Sequence, residues 1–206
     1  MTDYFALLNE PRRPWIDPGA LKSKFIALSS ELHPDRAHQR PEIERTAANQ
    51  RYTEFNAAYT CLCDPKERLA HLLQLERGSR PEDVQTIPAA TVDLFTEVSQ
   101  ACREADALLT RRAQNASPLL KVQSFEKGAE LADGLRMLQD KLRAKLDHLD
   151  AQLRNLNMAW ESAPAVGSPS RAHVLPCSRL EQIYRDISYL TRWTQQIHQR
   201  FVQLSL

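Results

Sequence analysis

Glycine is scarce, at 5 residues in 206 against 12 prolines. So little glycine leaves scant material for the left-handed turns of β-hairpins or for a glycine-rich phosphate loop. Charge of one sign is missing as well. Residues 1–80 hold 12 Lys/Arg against 11 Asp/Glu and residues 81–206 hold 15 against 15, so neither half has the field that drives binding to nucleic acid or to an anionic membrane. The four cysteines (Cys61, Cys63, Cys102, Cys177) form no CxxC pair and no metal-ligand spacing, and they read as reduced thiols. No stretch approaches about 18 uninterrupted apolar residues, and the start of the chain has no basic segment leading into an apolar run. A cytoplasmic protein with no nucleic-acid or membrane partner, no metal and no cofactor is the expectation. Nucleophile-elbow, phosphate-loop and metal-protease motifs are absent from the sequence, which argues against an enzyme with a catalytic residue of its own.

What the sequence does contain is helical periodicity. At 42% hydrophobic and 26% charged it can bury a sizeable core. Asp17 is placed to cap a helix with Pro18 in its first turn, and Leu21, Phe25, Leu28 and Leu32 then follow at steps of 4, 3 and 4. Pro34 ends that helix. Pro41 opens a second, striped by Ala48, Tyr52, Phe55, Tyr59 and Leu62, so the two predict an antiparallel hairpin with His33, Pro34 and Asp35 at its tip. Asp64 and Pro65 start a third helix that stops near Gly78. The breakers in 78–88 mark a linker.

Beyond the linker the stripes lengthen. One runs through Val92, Phe95, Val98, Cys102, Ala105 and Leu109; another from Leu131 to Trp160 in nearly unbroken 4/3 alternation; a third from Leu180 through Ile183, Ile187, Leu190, Trp193, Ile197 and Phe201 to Leu204. The Pro/Ser-rich stretch 162–176 reads as a mobile crossing loop. The expected fold is all-α: residues 1–77 form a hairpin domain with short flanking helices and a connecting helix, 78–88 a linker, and 89–206 an antiparallel three-helix bundle. The leucine row 131–160 also suits a dimerisation seam, so a monomer and a weak dimer both remain open.

Alone, His33-Pro34-Asp35 is a weak signal, and a metal held by His33, Asp35 and His38 lacks a further ligand. Its surroundings give it weight: Tyr4-Phe5-Ala6-Leu7-Leu8 before it, the helical stripe leading into it, then Phe55-Asn56-Ala57-Ala58-Tyr59 and Leu62-Cys63-Asp64-Pro65. Over residues 2–66 this resembles the J domain of DnaJ-type co-chaperones. The resemblance implies that His33, Pro34 and Asp35, with Lys22, Lys24 and Arg36 as nearby cations, bind a DnaK-type chaperone and trigger its ATP hydrolysis. An N-terminal J domain followed by Pro65-Lys66-Glu67-Arg68-Leu69-Ala70-His71-Leu72-Leu73-Gln74-Leu75 and a bundle further resembles the HscB family of iron-sulfur co-chaperones. That implies an HscA-type partner and a bundle that carries an IscU-type scaffold with its nascent cluster. The matching client surface falls on Leu94, Phe95, Glu97 and Val98. A J-domain protein serving another client, and a helical adaptor that dimerises, remain the alternatives.

Overall fold

The computed structural model of the chain describes residues 2–32, 41–82, 87, 91–114 and 118–205, and among these every regular element is a helix. The helices are α1 (Tyr4–Leu7), α2 (Pro18–Leu32), α3 (Glu42–Cys63), α4 (Pro65–Arg77), α5 (Val92–Gln114), α6 (Pro118–Glu161), α7 (Arg171–Val174) and α8 (Cys177–Ser205). The caps follow the sequence signals. Asp17 Oδ1 accepts from the Ala20 amide at 2.7 Å at the start of α2. Asp64 accepts from the Glu67 amide at 3.0 Å with Pro65 in the first turn of α4, whose end is the left-handed Gly78 at φ 83°.

Two compact units result, one of Met1–Glu82 with Asp150–Tyr184, the other of Asp83–Leu149 with Arg185–Leu206. These units are not the linear segments 1–77 and 89–206, because the far part of α6 and the near part of α8 cluster with the N-terminal region. Chemistry within the first unit explains this. The Trp15 backbone and the Asn157 side chain exchange two hydrogen bonds, Trp15 N–H to Asn157 Oδ1 at 2.9 Å and Asn157 Nδ2 to the Trp15 carbonyl at 3.0 Å. The indole N–H donates to Asp150 at 3.1 Å, and the Arg154 guanidinium lies 4.4 Å from the ring centroid.

The hairpin core of that unit forms where the two stripes meet: Phe25 stacks on Phe55 and Tyr59, with centroids 5.1 and 3.9 Å apart. Phe5, Leu8, Leu21, Phe55, Leu62, Leu69, Leu72 and Leu73 are fully buried. Arg68 is buried too, donating to the Pro14 carbonyl at 2.9 Å and the Leu62 carbonyl at 2.7 Å; burial lowers its pKa, against the pull of Asp150 and Asp64. Residues 162–176, expected from their composition to be a mobile crossing loop, carry the short helix α7 and an anchored side chain. Arg171 on α7 is buried and grips Glu76 of α4 with two bonds, at 3.0 and 2.9 Å, while a third goes to the Pro164 carbonyl at 2.7 Å.

In the second unit the α8 stripe is buried as predicted at Ile187, Leu190, Trp193, Ile197 and Leu204, and α6 contributes Leu135, Leu138, Leu142 and Leu149. The leucine row therefore lies inside the fold rather than on a free dimer seam. On α5 the core stripe is shifted. Leu94, Val98, Cys102, Ala105 and Leu108 are buried, whereas Val92 and Phe95 are exposed at 47% and 39%. The helix wheel gives the reason: at 100° per residue Leu94 lies 40° from Val98, and Val92 lies 120° away. No described helix is long and apolar enough to cross a membrane.

Candidate functional site: two partner-binding surfaces

The first candidate surface is the outer side of α2 with the segment that follows. His33, Pro34, Asp35 and Arg36 lie outside the described residues; in sequence they stand between the end of α2 and the start of α3. Lys22 is exposed on α2. Lys24 has a different place. Its ammonium forms an ion pair with the buried carboxylate of Glu10 and donates to the Asn9 carbonyl at 3.0 Å, while Arg13 holds the other Glu10 oxygen at 3.0 Å. Asn9 carries the one positive φ among described non-glycine residues, 51°. Lys24 thus ties α2 to the turn after α1, and of the two lysines only Lys22 is uncommitted toward a partner.

Behind this surface, α1 is seated on α4 by His71. Its Nε2 accepts the Tyr4 backbone N–H at 3.1 Å, and its ring stacks on Tyr4 and Phe5 at 4.5 and 5.9 Å between centroids. An acceptor nitrogen means a neutral imidazole at that atom. Burial lowers the His71 pKa from 6.5, opposed by Asp3 and reinforced by Arg12 and Arg80.

The second candidate surface is the start of α5, and its four predicted residues divide. Leu94 and Val98 are buried rather than exposed, Leu94 lining a hollow between α5 and α6. Phe95 is exposed, with its ring 6.1 Å from that of Trp193. Glu97 is exposed and pairs with Lys141 of α6 at 2.6 Å. Phe95 and Glu97 lie about 160° apart on the helix, so the structure does not gather the four into one patch.

Among the described residues Cys63 is exposed, Cys61 half-buried, and Cys102 and Cys177 buried. No group of three His, Cys, Asp or Glu side chains there could hold a metal ion. Burial pushes the Cys61 thiol up to about 11, and it raises Cys102 and Cys177 as well; all three stay protonated near neutral pH. Sequence reasoning missed the fasteners: Trp15 with Asn157, Arg171 with Glu76, and Lys24 with Glu10. Each joins residues by long-range geometry that no local period encodes.

No family model matches the chain. A curated relative, the co-chaperone protein HscB homolog of Azoarcus sp. (strain BH72), is 38% identical over 84 residues, which are 41% of this chain. The match spans about half, 48%, of that relative's length. Chaperone HscB from Vibrio cholerae superposes with a TM-score of 0.59 at 21% identity, over 97% of this chain and 99% of that one. Human co-chaperone protein HscB gives 0.63 at 18% identity, over 97% and 82%. The fold therefore defines the class, an all-α protein with an N-terminal J-like domain and a C-terminal helical bundle. Within that class the chain is HscB-like, by sequence over the aligned 84 residues and by fold over nearly its whole length.

Proposed function

We propose that the chain is a J-domain co-chaperone of iron-sulfur cluster assembly. It stimulates the ATPase of a DnaK/HscA-type chaperone in the cytoplasm and is not an enzyme in its own right. The observation that carries this reading is the His33-Pro34-Asp35 tripeptide between α2 and α3 in a chain with the HscB fold. The tripeptide suits recruitment rather than chemistry. Asp35 supplies a carboxylate for a cation on the partner, His33 a ring that donates or accepts, and Pro34 a restricted backbone that lowers the ordering cost of binding. Lys22 and Arg36 add the positive charge, whereas Lys24 acts within the fold. An IscU-type scaffold is the client, and exposed Phe95 is its apolar anchor on α5.

Steady-state ATP hydrolysis by a DnaK/HscA-type chaperone, measured with and without the protein, tests the reading. Acceleration by wild type that is abolished by His33→Gln and reduced by Lys22→Ala is the expected result. No acceleration, or full acceleration by His33→Gln, removes the J-domain function. The client is tested separately by titrating a purified scaffold. Chaperone stimulation without scaffold binding leaves a J-domain protein with a different client.

A further inference from the structure

The second unit has a feature that the co-chaperone reading does not use, a groove along the α5–α6 seam. It holds two hollows. One, of about 450 Å³, is lined by Leu94, Lys141, Ala144, Lys145 and His148. The other, of about 350 Å³, is lined by Glu104, Ala107, Leu108, Arg111, Lys127 and Leu131. Their spacing is regular: Leu94 and Leu108 are fourteen residues apart, and so are Lys127 and Lys141, and Leu131 and Lys145. Two heptads along both antiparallel helices bring the same register back, so the hollows are two stations of one groove, about 21 Å apart at 1.5 Å per residue. Between them, Gly134 falls on the row of Lys127, Lys141 and His148, and a Cβ there would meet nothing within 4 Å. The exposed Glu97–Lys141 pair lies at the first hollow, which Lys141 lines.

Charge identifies the guest. The unit as a whole is balanced, with twelve Lys/Arg and eleven Asp/Glu. The linings lean positive: Arg111, Lys127, Lys141 and Lys145 stand against Glu104 within them and Glu97 beside them, which pairs with Lys141 at 2.6 Å, with His148 at one end. Glu104 itself accepts from Gln100 at 3.0 Å. Arg111 and Lys127 share one small hollow with Glu104, two cations to one carboxylate, and a second carboxylate from outside would balance the charge. Asp133, Asp140 and Asp147 each precede a groove position by one residue and so lie about 100° round α6, away from it.

We propose that this groove receives an acidic amphipathic helix of a partner protein, with apolar side chains fourteen positions apart seated over Leu94 and Leu108 and carboxylates beside Lys145, Lys127 and Arg111. Helices recognise helices in this way through paired anchors and a charged rim. The site is distinct from the Phe95 face and does not depend on the chaperone reading.

Fluorescence anisotropy of labelled helical peptides against the full chain tests the proposal. Three probes are needed: an acidic peptide with leucines at the fourteen-residue spacing, one of the same composition with the leucines displaced, and one with lysine in place of glutamate. The first is expected to bind with Kd on the order of 10 µM, the others at least roughly tenfold more weakly. The double variant Lys127→Glu with Lys145→Glu is expected to cut the affinity of the first peptide at least about tenfold. Arg192→Glu, on α8 outside the groove, leaves it unchanged. Absence of saturable binding up to about 100 µM overturns the proposal. Equal affinity for the displaced-leucine peptide, which marks charge attraction alone, also overturns it, as does an unaffected double variant. Since no chaperone enters the assay, failure here and failure of the ATPase test are separate outcomes.

Discussion

A methyl group added at position 128 and one added at position 134 are expected to have opposite effects, although both replace a glycine inside α6. At Gly134 the space is open, so Gly134→Ala removes only the backbone-entropy penalty and raises stability by about 0.5–1 kcal/mol. At Gly128 a Cβ would stand 2.0 Å from Nη2 of Arg112, whose guanidinium donates to the Leu204 carbonyl and to the Ser124 carbonyl, each at 3.0 Å. Displacing it loses two charge-assisted bonds, which outweighs the helix gain, and Gly128→Ala is expected to lower stability by about 1 kcal/mol. In an Arg112→Ala background the same change stabilises, as at 134; urea unfolding of the four-member cycle reads the coupling. His71 gives a second residue-scale expectation, this time in pH. Its folded-state pKa lies below the ordinary 6.5, so between those two values the unfolded chain binds a proton that the native one refuses. The stability held by the neutral ring is present above about pH 6.5 and is lost as pH falls toward the folded pKa, at up to roughly 1.4 kcal/mol per pH unit. Urea midpoints from pH 8 to pH 5 should show this slope in wild type and lack that component in His71→Gln.

At the scale of the element, the segment 162–176 shows how one side chain overrides composition. Its proline and serine content predicts mobility, but Arg171 and Glu76 are each less than a tenth exposed, at 8% and 3% of their side chains, and bond in a two-pronged pair. Removing one partner strands the other. Arg171→Ala leaves Glu76 buried with only Arg12, at 3.9 Å, as a cation, and is expected to cost about 3 kcal/mol. Limited proteolysis is the direct check: cleavage between residues 162 and 176 should be slow in wild type and fast in the variant, and equal rates would mean that the pair does not hold the segment. The same scale accounts for α5. Apolar residues lie on more than one side of that helix, so a stripe can be drawn through Val92 and Phe95 or through Leu94 and Leu108, and only packing against α6 and α8 selects the second.

For the whole molecule, legibility in the sequence followed range. Elements whose signals are local were readable: the capped starts of α2 and α4, the stop at Gly78 and the long stripe of α8. The groove's fourteen-residue repeat was also present in the sequence, but nothing there says that Leu94 and Lys145 share a hollow. Compactness was the least readable property, because it rests on pairs far apart in the chain, Trp15 with Asn157 and Arg77 with Glu181 at 2.5 Å. This bears on whether residues 1–88 can stand alone. That fragment keeps the α2–α3 hairpin and α4, but it loses every acceptor and donor that Asp150, Asn157 and Arg171 provide to Trp15 and Glu76, and it exposes the apolar surface those segments cover. It is therefore expected to fold with markedly reduced stability, with Trp15 in water. Trp15 is the only tryptophan in the fragment, so its emission reports on this directly. A red-shifted maximum and a urea midpoint well below that of the full chain are expected. An unshifted maximum with an unchanged midpoint would show instead that the linear division at 78–88 separates two autonomous domains, and that the contacts to 150–184 are dispensable for the J-like fold.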